Sequence, residues 1–283
     1  TAITAAELTA ITATTSGTVT VTNAVVVTGD HDQLTAALVT GGTKVAVTDV
    51  AATVSDADGT AITAAELSDI GGATTGTVTV TNAVAITGST AQVTAALVTA
   101  GTLVVVSDAA VTIDDTPTIS ELNAIAAKTT GVVTATLASN SLSNLGALTT
   151  AGTDAITITV NDADASALTA ANLSTLGGKT AGTVTVTNAV AITGDHDQLT
   201  AALVTAGTKV EVSDATVTVN DVDATAITAS ELSAIGGSTT GTVTVTNAVA
   251  ITGDHDQLTA ALVTSGTKVE VSDAAVTVSD ADA

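Results

Sequence analysis

Aromatic side chains are missing altogether: the 283 residues include no Phe, Trp or Tyr, and no Met or Cys either. A domain of this length ordinarily builds its core around large aromatic groups. Here the core must be thin and filled by Ala, Val, Ile and Leu, which favours a narrow repeating architecture over a sphere. Without Cys there is no disulfide framework and no thiol nucleophile, a composition that fits a secreted protein not reliant on disulfides. Positive charge is nearly missing as well. Five Lys and no Arg face 28 acidic residues, for a formal net charge of −23. Such a surface repels nucleic acid and anionic membranes, which are bound through clusters of Lys and Arg. No apolar run approaches the ~18 residues that span a bilayer, so membrane insertion is not expected; no signal-peptide pattern is visible.

What is present is a repeat. Anchor residues stand at Glu7, Gln33, Glu66, Gln92, Glu121, Asn144, Asn172, Gln198, Glu231 and Gln257, with spacings of 26, 33, 26, 29, 23, 28, 26, 33 and 26. These define ten coils paired into five larger repeats, approximately 1–59, 60–114, 115–165, 166–224 and 225–283. Three residues before each anchor stands a capping side chain: Thr4, Asp30, Thr63, Ser89, Thr118, Ser141, Thr169, Asp195, Thr228 and Asp254. Ser, Thr or Asp followed three residues later by Glu or Gln is the capping box, in which each side chain satisfies the other's orphan backbone N–H. An apolar residue follows every anchor, and a second comes three or four later, as in Leu8 with Ile11 and Leu34 with Leu38. Gly71, Gly101, Gly207 and Gly266 mark expected helix stops. The pattern predicts a helix of about two turns at the start of each coil.

Twelve and fourteen residues past the anchor the period becomes two, in pairs such as Val19/Val21, Val45/Val47, Val78/Val80, Val184/Val186 and Val243/Val245, with Thr mostly between them. This is a strand with one buried face. Asn23, Asp49, Asn82, Asp108, Asn188, Asp214, Asn247 and Asp273 follow as corner residues, whose side chains can bond their own backbone and turn the chain. A second apolar stretch, such as Val84/Ile86 or Val217/Val219, precedes the next cap. A single coil of this kind cannot bury its apolar face, whereas stacked coils can. The expected fold is an α/β solenoid of about ten stacked coils, each a short helix plus parallel β-strands; an all-β solenoid is the alternative. At ~4.8 Å per stacked strand the ten coils would make a rod roughly 50 Å long.

The columns exemplified by I-T-A-S-E-L-S-A-I-G-G-S-T-T-G-T-V-T-V-T-N-A (Ile227 to Ala248) resemble the Thr/Ala/Val-rich tandem repeats of very large secreted bacterial cell-surface proteins, particularly cyanobacterial ones. The similarity runs through essentially the whole chain. It implies surface-layer, adhesin or filament material at an extracellular location, often secreted with calcium, and it brings no catalytic residues. The glycine-rich calcium nonapeptide common in such proteins is absent here. The two ends of the chain, T-A-I-T-A-A-E and S-D-A-D-A, match the two halves of the internal junction from Asp56 to Glu66. The expectation is a piece of a longer array, a processed product, or one unit of a head-to-tail polymer. Ordinary repeat at both ends, where solenoids carry atypical caps, favours self-association into fibres.

Candidate chemistry concentrates at the acidic junctions Asp56/Asp58, Asp114/Asp115, Asp162/Asp164, Asp221/Asp223 and Asp280/Asp282. Alternate carboxylates on a turn are hard-oxygen ligands of the kind Ca²⁺ prefers, although the EF-hand spacing is missing; a solvated turn is the plainer reading. The thrice-repeated D-H-D-Q, beginning at Asp30, Asp195 and Asp254, invites a metal reading. Its Asp residues also fall at helix starts, where capping and the helix dipole favour negative charge. The sequence around it holds no second His for a ligand set, and capping is the reading adopted. Thr-rich strands suggest an ice-binding ladder, yet Lys209 and Glu211 interrupt it, and Thr also suits strands in its own right. Three His, all in one motif, supply no catalytic triad, and no phosphate-cradling loop is present, so no enzymatic activity is expected. The expected function is a structural repeat protein forming an extracellular filament, sheath or surface layer by end-to-end stacking. The alternatives are the spacer stalk of a giant secreted adhesin and a calcium-binding surface module.

Overall fold

The structure, a computed structural model, describes residues 2–208 and 210–280; Asp282 of the last junction lies outside them. Among the described residues there are ten helices: α1 (Ala5–Thr12), α2 (His31–Leu38), α3 (Ala64–Gly72), α4 (Thr90–Leu97), α5 (Ile119–Ala126), α6 (Leu142–Leu145), α7 (Ala170–Gly177), α8 (His196–Leu203), α9 (Ala229–Gly236) and α10 (His255–Leu262). Each starts where the Ser, Thr or Asp side chain accepts a hydrogen bond from the backbone N–H three residues on. In α1, α3, α4, α5, α8, α9 and α10 the anchor side chain returns the bond to the cap's own N–H, which closes the box. Isolated helices this short are unstable in water; these persist because they bury residues such as Leu67 and Ile70, or Leu199 and Leu203, against the sheets. The chain is therefore α/β. The all-β alternative fails at these ten segments.

Tertiary contacts divide the chain into two compact units, Thr1–Leu137 and Ala138–Ala283. In the first, one parallel ladder runs in the order Ala2–Thr4, Val26–Gly29, Ala51–Val54, Val78–Val80 and Val104–Val105. A second begins at Ala61–Thr63 and continues through Ala85–Gly88, Ala110–Ile113 and Val133–Thr136. In the second unit, Ala167–Thr169, Ala191–Gly194, Thr216–Val219, Val243–Val245 and Val269–Val271 repeat the five-rung order. Ala226–Thr228, Ala250–Gly253 and Ala275–Val278 form a three-rung ladder. Ala155–Val160, Val184–Val186 and Glu211–Val212 form another within this unit.

The order of rungs is the main departure from the sequence expectation. Each five-rung ladder opens on two strands that lead into helices, continues with the second strand of a coil, and closes on the first strands of the next large repeat. The three-residue segments just before α3, α7 and α9 (A-I-T, A-L-T and A-I-T) are strands, a rung the period-two reading missed because three residues carry too little alternation. Val19/Val21 and Val45/Val47 form only an isolated bridge, Thr20 to Ala46. Such segments take the fourth and fifth places of a ladder, and among the described residues these two bridge only to each other. Within a ladder the inward rungs align: Leu168, Ile192, Val217, Val243 and Val269 stand in register, and all five are buried. This aliphatic stack replaces the aromatic core.

Gly71 does not end its helix in a left-handed turn as the sequence suggested; it lies inside the last turn of α3. A Cβ there would collide with the backbone carbonyl of Thr102. The helix packs so closely on the following coil that only hydrogen fits, and Gly177 and Gly236 meet Thr208 and Thr267 in the same way.

Candidate functional site: the acidic junctions

The two carboxylates of a junction reach in opposite directions along the chain. The Asp56 side chain is buried. Its Oδ2 accepts the backbone N–H of His31 at 2.8 Å, and its Oδ1 lies 2.7 Å from the His31 ring Nδ1. Asp221 treats His196 identically, at 2.8 and 2.6 Å. Asp280 meets His255 with Nδ1 at 2.8 Å and the backbone N–H at 3.3 Å. Where the helix begins with Thr90 instead, Asp115 accepts both its N–H and its hydroxyl; at α6, Asp162 accepts the N–H of Leu142 at 2.7 Å. The first N–H of a helix has no intrahelical partner. A carboxylate 20 to 25 residues on, at the junction that closes the same coil, supplies one, held where the helix dipole favours negative charge.

Asp58, Asp164 and Asp223 face the other way. They accept the backbone N–H of Ala83, Ala189 and Ala248 at 3.0, 3.1 and 3.1 Å. The corner amides join them: Asn82, Asn188 and Asn247 donate to the carbonyls of Asp56, Asp162 and Asp221 at 2.5, 2.6 and 2.6 Å. These Asn side chains bond the neighbouring coil and not their own backbone, because the stacked junction places a free carbonyl within reach. The residue after each second Asp has positive φ: 76° at Gly59, 60° at Ala165 and 65° at Ala224. Its N–H is tied to the carbonyl of Ala83, Ala189 or Ala248, each at 2.8 Å. Left-handed backbone costs an alanine about 1–2 kcal/mol, a strain that these cross-coil bonds over-determine.

Asp30, Asp195 and Asp254 accept the N–H of Gln33, Gln198 and Gln257, all at 2.8 Å. Asp108, Asp214 and Asp273 accept the hydroxyls of Ser107, Ser213 and Ser272. Asn23 and Asp49 sit on bends, and the Asp114 carboxylate is on an exposed residue. Buried threonines add further ties from coil to coil: Thr74 donates to the carbonyl of Val50, Thr239 to that of Ala215 and Thr180 to that of Ile156.

The histidines are electrostatically biased by this arrangement. For His31 and His196, partial burial opposes the charged ring, but the hydrogen bond to Asp56 or Asp221 and the surrounding carboxylates outweigh it and raise the pKa above 6.5. His255 is raised chiefly by its bond to Asp280. The glutamates of the capping boxes shift down, held ionised chiefly by the Thr63 hydroxyl for Glu66 and the Thr228 hydroxyl for Glu231. Among the described residues, one group of three His, Asp or Glu side chains offers ligand atoms within 4.8 Å of one another: His31, Asp32 and Glu66. No junction Asp belongs to it. Also among the described residues, no helix is long and apolar enough to cross a membrane. Grooves in the first unit (about 280 Å³, beside Lys44 and Asp69) and the second (about 320 Å³, beside Asn172 and Lys179) are shallow gaps between successive coils.

Compared with known protein families, curated proteins and solved structures, the chain has no match.

Proposed function

We propose that the chain is a structural segment of an extracellular filament, sheath or surface layer, a solenoid whose coils stack on one another and on those of neighbouring copies. The observation that carries this reading is the recurrence of one five-rung parallel ladder in both units, bound from coil to coil by the same Asp, Asn and Thr contacts. Every added coil forms these bonds again, so extension needs no new contact. Strands inside a ladder bury their inward residues against the strands on either side, as Val217 and Val219 do. High negative charge keeps a long assembly dispersed. The resemblance of the columns to repeats of secreted bacterial surface proteins agrees with this role, which involves no catalysis.

Electron microscopy of the native material at neutral pH, with divalent cations present, tests the proposal. Long filaments whose axial repeat matches one stacked chain are the expected result. Isolated particles at high concentration overturn it, and particles leading to a globular tip select the adhesin-stalk reading. Melting with and without Ca²⁺ separates the calcium-module alternative, which requires a calcium-dependent Tm.

A further inference from the structure

We infer that His31, Asp32 and Glu66 form a binding site for a divalent transition-metal ion of the Zn²⁺ type. The three residues come from two large repeats: His31 and Asp32 open α2, and Glu66 lies in the first turn of α3. Stacking brings one ligand atom of each within 4.8 Å of the others. The imidazole is already oriented for the task. Its Nδ1 is bonded to the buried Asp56 carboxylate at 2.7 Å, and its Nε2 lies 3.7 Å from Asp32 Oδ1. A carboxylate on the far nitrogen fixes tautomer and ring angle and strengthens the ring as a ligand, as in metal-binding histidines generally.

The carboxylates are also available. Asp32 is almost fully exposed. Glu66 uses only Oε2 in its capping box, accepting the Thr63 N–H and hydroxyl, which leaves Oε1 outside those bonds. One imidazole with two carboxylates suits Zn²⁺ and its first-row neighbours, whereas Ca²⁺ takes six to eight oxygens. The α2 dipole opposes a cation, but Asp30 and Asp32 at the same helix end offset it. His196, Asp197 and Glu231 recur at the same spacing; of the two sets, the one with all donors within 4.8 Å is at His31. A bound ion joins one large repeat to the next, a cross-link that sequence proximity cannot make.

The protein itself supplies substitutions that separate ligation from folding. Thr90 stands in the His31 position of α4 and is bonded by Asp115, so His31→Thr keeps a partner for the carboxylate. Gln92 closes a capping box, so Glu66→Gln keeps the cap and removes the charged ligand. The experiment is a Zn²⁺ titration of the full chain carrying His196→Thr and His255→Thr, followed by ¹⁵N NMR of the one remaining histidine. Saturation at one equivalent is expected, with the Nε2 resonance moving, Nδ1 staying protonated and the Tm rising with Zn²⁺. Glu66→Gln should weaken binding about tenfold or more, the scale on which even outer partners of a ligand act, with the metal-free Tm unchanged. His31→Thr should abolish the one-equivalent site. An Nε2 resonance that does not respond, an affinity that survives either substitution, or displacement of Zn²⁺ by equimolar Ca²⁺ would each overturn the assignment.

Discussion

Helices α8 and α10 have the same eight residues, H-D-Q-L-T-A-A-L, behind the same Asp cap. In both, the histidine is bonded to an aspartate 25 residues ahead. Their surroundings differ. The His196 and Asp221 side chains are 14% and 5% exposed, against 70% and 41% for His255 and Asp280. What covers the first pair is α9 and the coil it opens; the second pair has no such cover among the described residues. The local sequence makes the bond in either place, but the exclusion of water decides its worth, since a charged hydrogen bond in a low-dielectric site is far stronger than one screened by solvent.

The comparison can be broken most forcefully in the core beneath the two helices. Leu203 is fully buried and Leu262 only partly so. Leu203→Ala should cost about 2–5 kcal/mol in urea denaturation, the range for a leucine removed from a packed site, and Leu262→Ala clearly less. Equal losses would mean that the two helices are covered alike. Next in size is the latch itself. Asp221→Ala strands the part-buried N–H of His196 and should cost about 1–3 kcal/mol, whereas Asp280→Ala should lower the unfolding midpoint much less.

A pH titration sharpens the contrast further. With chelator present, ¹H NMR should find His196 and His255 titrating above 6.5, and His196, with Asp197, Asp221 and Glu231 around it, should respond to Asp221→Ala by falling back. Because the folded pKa is raised, the latch contributes fully below the unfolded value and its contribution is lost as pH rises through the folded one. Stability should therefore decline across that window, and His196→Thr should flatten the decline more than His255→Thr does. The smallest effect concerns the exposed backbone of the same junction. Ala224→Gly relieves left-handed strain but adds unfolded-state entropy, so a gain of about 0.5 kcal/mol is expected in the same denaturation assay.

Much of this architecture is legible in the sequence, and the legible part is local. The ten capping residues lie three positions from the N–H they accept, so spacing alone identifies them. The alternation of Val and Thr marks strands for the same reason, and with them the α/β class. Less accessible is the partner of each strand, because Ala-Ile-Thr before α3 or α9 has no pattern of its own and becomes a strand only by pairing with a neighbour. The junction aspartates were readable as a cluster of charge. Their division into one carboxylate reaching back to a helix start and one reaching forward to a corner was not. The D-H-D-Q motif has no second His for a ligand set and reads as a helix cap; that Glu66 comes close to His31 is not legible, since it stands 35 residues away.

The sequence by itself determined the repeat, the helix starts, the inward faces and the acidity of the surface, all of which depend on interactions spanning a few residues or on composition. Only the tertiary structure decided the rung order of the ladders, the glycine close approach at Thr102, the burial of Asp56 and Asp221, and the meeting of His31 with Glu66. These depend on how one coil lies against the next, through contacts between residues some 20 to 35 positions apart, and their energies come from excluding water, which no single coil can do alone.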